Sequence, residues 1–208
     1  NKDLVKRELG IDKDSLVLFF REQEALKGTN YIVDALNDLR NLECAVKATK
    51  KYGGECQIAL SYTTSPVHTV EYYVDLAKQV EALGADSICI KDMAGVLLPE
   101  TAYQLIKAIK ANTKLPVELH SHCTGGMIEM TYLRAIQAGV DIIDTALSPL
   151  SGGTSQPCTE SLNYALEGTE YDPKLNKEML EKAAKKLAPV RQKYLNNGLL
   201  NPKVLCCN

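Results

Sequence analysis

The amino-acid sequence predicts an α/β fold, an incomplete (β/α)8 barrel of the TIM type. Apolar segments begin near residues 57, 87, 117 and 141, and each precedes an amphipathic segment, so the repeat of 24 to 30 residues fits one βα unit. The apolar segments are continuous rather than alternating, which is typical of parallel strands covered by helices. Polar residues follow them directly. A barrel gathers such residues around one pocket, whereas an open doubly wound sheet spreads them along a line.

The positions where apolar patterns start and stop predict the individual elements. Residues 16–20 form an apolar run that indicates a strand, and the polar residues 22–31 indicate an irregular segment. A helix is predicted through residues 42–48 with Gly53 and Gly54 as its stop, and further helices over residues 70–83, 99–111, 127–138, 160–166 and 174–194, with Pro99 in a favourable first turn. The whole chain, 1–208, is expected to form a single barrel domain in which 174–208 is a trailing helix and tail.

The composition excludes several classes of protein. Of the 208 residues, 45% are hydrophobic and 24% are charged, which is ordinary for a globular domain with a sizeable core. A formal net charge of −2 argues against a nucleic-acid partner. No apolar run approaches the length of a bilayer span, and the first residues do not resemble a signal peptide. Seven cysteines without a C-x-x-C pattern indicate buried thiols in a reducing cytoplasm.

Residue types with catalytic and ligand chemistry cluster where the predicted strands end. Lys91 and Asp92 close the strand that begins at Ser87, and His120 and His122 close the next one. Histidines at positions i and i+2 of a strand point to the same side, so together they can hold one transition-metal ion. Taken alone, a His-x-His pair occurs without a metal more often than with one.

Further polar residues stand at the ends of other predicted strands: Arg21, Asp34, Asn37, Tyr62 and Thr145. The sequence contains neither a G-x-G-x-x-G fingerprint nor a P-loop, so a dinucleotide or nucleoside triphosphate site is not supported.

Five ordered motifs resemble those of the carboxyltransferase barrel of biotin-dependent enzymes, the family that includes the oxaloacetate decarboxylase alpha subunit and the carboxyltransferase subunit of pyruvate carboxylase. They lie at residues 34–41, 61–69, 85–95 (which contains Lys-Asp-Met-Ala-Gly), 120–122 (His-Ser-His) and 151–157 (which contains Thr-Ser-Gln-Pro). The resemblance covers roughly residues 16–205. Five motifs in one order are far more specific than any single one.

The resemblance implies a metal centre. In such enzymes the lysine matched here by Lys91 is carbamylated and binds a divalent transition metal (zinc, manganese or cobalt) together with two histidines, matched by His120 and His122. A free ammonium would repel the metal, whereas a carbamate presents a negatively charged oxygen. Carboxyl transfer between a keto acid and biotin passes through an enolate, and a Lewis-acidic metal stabilises its negative charge.

The resemblance also assigns residues to the substrate and to proton transfer. Thr154 matches the threonine that shuttles a proton between biotin and the enol of pyruvate; an ordinary loop hydroxyl is the alternative. Arg21 matches an arginine that binds the keto acid. Asp34 is a second candidate for substrate binding, with capping as its alternative. Tyr62 is expected to pack, and His68 to belong to a loop or a helix start rather than to a ligand set.

The sequence departs from the family pattern in several places. The family's first two strands, which supply an aspartate as fourth metal ligand, have no counterpart, and a helix that should precede the 31–34 segment is missing. The usual Arg-Gly-Gln-Asn reads Arg-Glu-Gln-Glu at residues 21–24, which places two carboxylates beside the keto-acid arginine. The family's helical carboxyl-terminal region and a Met-Lys-Met biotinylation site are also lacking. Biotin is therefore expected on another domain or subunit.

Three functions are compatible with these residues. The first is a metal-dependent carboxyltransferase or decarboxylase component that acts on oxaloacetate or pyruvate, has a biotin carrier as partner, and obtains its fourth metal ligand from water, Asp34, Asp92 or another chain. The second is a truncated, inactive fragment or interaction module, whose exposed strand edges favour a homo-oligomer or a complementing chain. The third and least favoured is a metal-dependent barrel lyase or aldolase, in which His-x-His commonly continues into Asn-Asp, whereas Cys123 and Thr124 follow here.

Overall fold

Six parallel strands form one sheet in the computed structural model, which describes residues 17–19 and 29–198. The strands are β1 (Val17–Phe19), β2 (Thr29–Asp34), β3 (Glu55–Ser61), β4 (Ser87–Asp92), β5 (Val117–Ser121) and β6 (Ile142–Asp144). All five strand pairs are parallel, and the order in the sheet is β1-β6-β5-β4-β3-β2.

This strand order is that of a barrel. From β2 to β6 each strand lies beside the next one in the chain, without the reversal of a doubly wound sheet. The first strand, β1, lies beside the last, as it does in a (β/α)8 barrel. Among the described residues, β1 and β2 are the two ends of the sheet and are not paired with each other. The predicted fold class, an incomplete barrel, is confirmed.

Helices follow the strands in the order that the apolar periodicity predicts. They are α1 (Glu43–Lys51), α2 (Val70–Leu83), α3 (Pro99–Asn112), α4 (Ile128–Gln137), α5 (Thr159–Ala165) and α6 (Lys177–Asn196). Thr69 caps the start of α2 by accepting the N–H of Tyr72, and Gly84 ends that helix in the left-handed conformation that glycine adopts without strain. Pro99 occupies the first turn of α3, as predicted. Of the helices in the described part of the chain, none combines the length and apolarity needed to cross a membrane.

Side-chain alternation along the strands separates an apolar layer from a polar one. One side of the sheet belongs to the core shared with the helices, and on β3, β4 and β5 its side chains are fully buried, at Ile58, Leu60, Ile88, Ile90 and Leu119. Burying each such side chain stabilises the fold by about 1.5–3 kcal/mol. On the opposite side, the buried amide of Gln57 donates to a carboxylate oxygen of Glu118 at 2.9 Å. The apolar layer holds the sheet together and leaves the other side for polar groups.

An aspartate ties neighbouring strands together at the amino end of β4. Asp86 directly precedes β4, and its carboxylate accepts the N–H of Cys56, the second residue of β3, at 2.7 Å. Lys50, at the end of the helix that leads into β3, forms an ion pair with the same carboxylate at 2.6 Å. One side chain thus joins the starts of two strands and a helix end.

The same arrangement recurs two strands later. Asp141 directly precedes β6, accepts the N–H of Val117 at 2.8 Å and forms an ion pair with Lys110 at 2.6 Å. In both cases the sequence reads Gly-x-Asp, with Gly84 or Gly139 in the left-handed conformation after the preceding helix. We call the Asp86 and Asp141 groups the amino-end clamps.

The start of one strand was not expected from the sequence. The polar segment 22–31 predicts irregular structure, but Thr29–Asp34 is strand β2, paired with β3 along its full length. The prediction was wrong for residues 29–31 because an edge strand can be polar when its backbone hydrogen bonds to a buried neighbour. Residues 20–28 and 199–208 lie outside the described residues, and the single-domain boundaries of 1–208 stay a prediction.

Candidate metal site

Two histidines at the carboxyl end of β5 point toward each other. The Nε2 atoms of His120 and His122 are 3.1 Å apart, because the backbone stays extended through His122. Ser121 points to the other side of the sheet, where its hydroxyl donates to Asp92 at 2.8 Å. The prediction that strand alternation brings the two imidazoles together is confirmed.

The second nitrogen of each imidazole is held by an acceptor. Nδ1 of His120 lies 2.6 Å from a carboxylate oxygen of Asp144, and Nδ1 of His122 lies 2.6 Å from the backbone oxygen of Thr154. Because carboxylates and carbonyls only accept, each Nδ1 carries the donated proton. With Nδ1 as the donor of each ring, the two Nε2 atoms remain 3.1 Å apart and facing each other, so together they can act as ligands of one cation. The side-chain nitrogen of Gln156 also faces Nε2 of His122, at 3.5 Å.

This donor set fits a divalent transition metal. Two nitrogens that share one ion at about 2.0–2.1 Å each are about 2.9–3.4 Å apart for bond angles from square to tetrahedral, and the observed separation is 3.1 Å. Within the described part of the chain, no three His, Cys, Asp or Glu side chains gather into a metal-binding group. A third protein ligand from this part of the chain would therefore have to be another residue type, and Lys91 pairs in register with His120 across β4 and β5.

Lys91 lies at the end of β4 between Ser61 of β3 and His120 of β5. It is half-buried, and its Nζ is 4.9 Å from the centroid of the Tyr31 ring, a cation–π distance. The hydroxyl of Tyr31 reaches the thiol of Cys89 at 3.9 Å. The amine is thus located on the histidine side of the sheet, with an aromatic ring of β2 as its neighbour.

Asp92, considered above as a fourth metal ligand, faces away from the histidines. It pairs in register with Ser121, on the opposite side of the sheet from His120, and it is fully buried. Its two oxygens accept the N–H groups of Val96 and Leu97 at 3.1 and 2.9 Å, in addition to the Ser121 hydroxyl. These bonds hold the loop after β4, so in this structure Asp92 stabilises that loop and is not positioned as a ligand.

Asp34 likewise belongs to the turn that follows its strand. Hydrogen bonds from the Asn41 side chain and from the N–H of Asp38 lower the pKa of its carboxyl group. Beside it, the left-handed Asn37 bridges to β3, because its side chain bonds to both the N–H and the carbonyl of Ser61 at 2.7 and 2.9 Å. The capping alternative therefore describes the position of Asp34, and its contact with a substrate stays a prediction.

Glycines allow the loop after β4 to lie against the turn after β5. Gly95 has a φ of +68°, and a Cβ there would lie 2.5 Å from the backbone oxygen of His122 and from Oγ1 of Thr124. The hydroxyl of Thr124 donates to the carbonyl of Ala94 across the same contact. The Lys-Asp-Met-Ala-Gly motif thus ends in a glycine because no other residue fits so close to the histidine segment.

Thr154 is carried by a loop that is attached to the histidine segment. Besides the bond from His122 to the Thr154 carbonyl, the carbonyl of Ser155 accepts the N–H of Cys123 at 2.8 Å. Burial raises the pKa of the Cys123 thiol to about 11, so this cysteine is uncharged at neutral pH. The side chain of Thr154 is exposed, and its role in proton transfer stays a prediction.

The remaining predicted residues are spread around the same end of the sheet. Tyr62 stacks on Tyr73 with ring centroids 5.3 Å apart, and burial followed by the charge of Asp92 raises the pKa of Tyr62. His68 bonds to a serine of its own loop, and Thr145 is buried. Arg21 lies outside the described residues.

Sequence reasoning missed Asp144. It ends an apolar strand, as Lys91 and His120 do, so the same signal was present in the sequence. Only the register between β5 and β6 shows which strand end lies beside which. The bond between Asp144 and His120 therefore required the structure.

The fold and the convergent histidines define an incomplete (β/α)8 barrel with a candidate metal site at the carboxyl ends of its strands. The family described as HMGL-like matches residues 11–187, and the chain belongs to this family.

Relatives with known names agree with the resemblance noted from the motifs. The chain is 53% identical over 163 residues to a pyruvate carboxylase subunit of Methanocaldococcus jannaschii, a match that covers 78% of this chain and 29% of the relative. It is 48% identical over 191 residues to the subunit of the same name in Methanothermobacter thermautotrophicus, covering 91% and 33%. It is 44% identical over 185 residues to the methylmalonyl-CoA carboxyltransferase 5S subunit of Propionibacterium freudenreichii subsp. shermanii, covering 87% and 37%. The chain thus spans about a third of the length of these relatives.

A solved structure is similar as well. The carboxyl transferase domain of Rhizobium etli pyruvate carboxylase, determined with pyruvate and biocytin, superposes with a TM-score of 0.78 at 37% identity, covering 80% of this chain and 29% of that chain. The resemblance to biotin-dependent carboxyltransferases is confirmed.

Proposed function

We propose that the chain is a metal-dependent carboxyltransferase or decarboxylase component. It moves a carboxyl group between a small keto acid, oxaloacetate or pyruvate, and biotin carried on another domain or subunit. The observation that carries the proposal is the pair of facing Nε2 atoms of His120 and His122 with Lys91 in register beside them. Further support comes from relatives named as carboxylase and carboxyltransferase subunits and from the solved neighbour determined with pyruvate and biocytin.

In this proposal His120, His122 and Lys91 hold a zinc, manganese or cobalt ion. Lys91 acts as a carbamate: its unprotonated Nζ attacks carbon dioxide, an N–C bond forms, and a proton is released. The product places a negatively charged oxygen where an ammonium would repel a cation. A divalent ion bound there supplies Lewis acidity, which favours negative charge on the oxygen of a keto acid.

Other residues act on the substrate. The Thr154 hydroxyl passes a proton between biotin and the keto acid, and the bond from His122 to the Thr154 backbone keeps that loop at the metal site. Arg21 binds the keto-acid carboxylate, and Asp34, in the turn after β2, is the second substrate-binding residue of this proposal. The same proposal includes a biotin carrier as partner and a cytoplasmic location. It also includes a second chain that covers the outer edges of strands β1 and β2.

The test is release of pyruvate from oxaloacetate by the purified chain with free biotin. The wild type is expected to show a biotin-dependent rate, Thr154→Ala to lose about 10²–10⁴-fold of it, and Thr154→Ser, which keeps the hydroxyl, to retain most of it. The rate at which oxaloacetate decarboxylates spontaneously is measured in the presence of the His120→Ala variant and subtracted. A metal-loaded wild type without any biotin-dependent rate would contradict the proposal and favour the inactive member of the family.

A further inference from the structure

Asp144 is a buried carboxylate beside the candidate metal site. It ends β6, its side chain is 11% exposed, and its Oδ2 lies 2.6 Å from Nδ1 of His120. The strand register explains the contact: β5 and β6 pair Glu118 with Ile142. Two residues further on, His120 and Asp144 therefore share one side of the sheet.

We propose that Asp144 is a positioning residue of this site. It holds His120 as the tautomer protonated on Nδ1 and directs the Nε2 lone pair toward His122. The inference rests on the proposed metal site and adds a residue to it. A carboxylate that accepts from one imidazole nitrogen fixes the ring orientation and makes the other nitrogen a stronger donor to a metal.

The two histidines differ in this respect. The Nδ1 of His122 donates to a neutral backbone carbonyl, whereas that of His120 donates to a charged side chain. The Asp144 charge lies behind the ring and offsets part of the positive charge of an ion in front of it. Side-chain substitution can remove the support of His120 but not that of His122, so the contribution of Asp144 can be measured separately.

The surroundings of Asp144 favour this role over a general structural one. Within the described part of the chain, His120 is its hydrogen-bond partner, and a carboxylate buried to this degree is costly without a specific partner. The nearby groups that sense its charge, Tyr132 and Cys89, are themselves buried, and burial raises the pKa of both well above the usual range. They are therefore uncharged at neutral pH and add no negative charge beside the carboxylate.

The experiment compares Asp144→Asn and Asp144→Ala with the wild type. Asn keeps an acceptor for Nδ1–H without the charge, and Ala removes both. Asp75→Asn, the same chemical change at an exposed position of α2, is the matched control. Zinc affinity of the full chain is measured by competition with a chromophoric chelator, and the His120 tautomer of the metal-free chain by nitrogen-15 NMR. Thermal unfolding of each metal-free variant shows that it is folded.

The expected zinc affinity falls by about 10–100-fold in Asp144→Ala and by less in Asp144→Asn, while Asp75→Asn matches the wild type. The NMR spectrum is expected to show His120 protonated on Nδ1 in the wild type and in Asp144→Asn, and a mixture of tautomers in Asp144→Ala. Wild-type zinc affinity in folded Asp144→Ala, together with loss of zinc in His120→Ala, would overturn the role of Asp144 alone. Retention of zinc in His120→Ala would overturn the metal site itself, so the two failures are distinguishable.

Discussion

At the amino ends of the strands, Asp86 and Asp141 each accept a backbone N–H and form an ion pair with a lysine near the end of a helix. At the carboxyl end of the same sheet, Lys91, His120 and His122 carry polar groups in a different arrangement. There the Nε2 atoms of two imidazoles face each other, and the third group is an amine against an aromatic ring.

The difference lies in where the partner of each polar group comes from. In the amino-end clamps every acceptor has its donor within the chain, so these groups stabilise the fold without any ligand. At the carboxyl ends the two facing Nε2 atoms suit a cation from outside the chain, while the buried apolar side chains of β3, β4 and β5 stabilise the sheet without it. In barrels of this type, chemistry belongs to the carboxyl face and stability to the amino face.

The largest effect is expected from substitutions that remove a ligand. His120→Ala and Lys91→Ala each leave the apolar layer intact but delete one donor, so loss of bound metal should exceed the roughly 10–100-fold cost of losing a supporting group. Elemental analysis of the purified variants measures this, with Lys107→Ala on the exposed side of α3 as control. Stoichiometric metal in the Lys91→Ala, His120→Ala double variant would show that the ion binds elsewhere.

The second prediction compares a glycine near the amino ends of the strands, Gly84, with one near their carboxyl ends, Gly95. Both have positive φ, but a Cβ at Gly84 meets nothing within 4 Å, whereas one at Gly95 would lie 2.5 Å from backbone and side-chain atoms of the histidine segment. Gly84→Ala is expected to cost about 1–2 kcal/mol of unfolding free energy from the backbone conformation alone, and Gly95→Ala about 1–3 kcal/mol more. Urea unfolding measures both. Equal losses would mean that the carboxyl-end loops move apart easily.

The amino-end clamps give a third, smaller effect. Asp141→Ala removes the acceptor for the N–H of Val117 and is expected to lower the unfolding free energy by about 1–2 kcal/mol. Asp141→Asn keeps an acceptor and should lose less. Neither variant should change metal content, since the clamp lies at the opposite end of the strands. A change in metal content with unchanged stability would reverse the assignment of the two ends.

The smallest effect concerns the lysine of the same clamp. Lys110 and Asp141 are 30% and 39% exposed, so their ion pair is screened by water. Lys110→Met should change the unfolding free energy by about 0–1 kcal/mol, less than Asp141→Ala does, and high salt should have little further effect on the variant. A loss as large as that of Asp141→Ala would show that the ion pair, rather than the backbone hydrogen bond, dominates the clamp.

Much of the fold could be predicted because its signals are local. The apolar runs at 87–90 and 117–119, together with the glycine that ends α2, place β4, β5 and α2 within a few residues of the observed bounds. Strand β2 was missed in part because its polar start, Thr29 and Asn30, is stabilised by pairing with β3, and pairing between distant segments leaves no local pattern.

In the candidate site, too, local features could be predicted from the sequence and contacts between strands could not. That His120 and His122 face the same point follows from the period of a strand, so sequence alone predicted it. That Asp92 points away and holds a loop, and that Asp144 supports His120, depend on the register between strands and could not be read from spacing. Residue type showed which side chains could act, and register showed which of them meet.

The central claim is that His120, His122 and Lys91 form a metal site. It is tested most directly by the metal content of the purified wild-type chain, prepared with and without bicarbonate and measured by elemental analysis. The account predicts about one zinc, manganese or cobalt ion per chain in the bicarbonate preparation and less without bicarbonate, because Lys91 needs carbon dioxide to become a ligand. A folded chain that holds no transition metal in either preparation would contradict it.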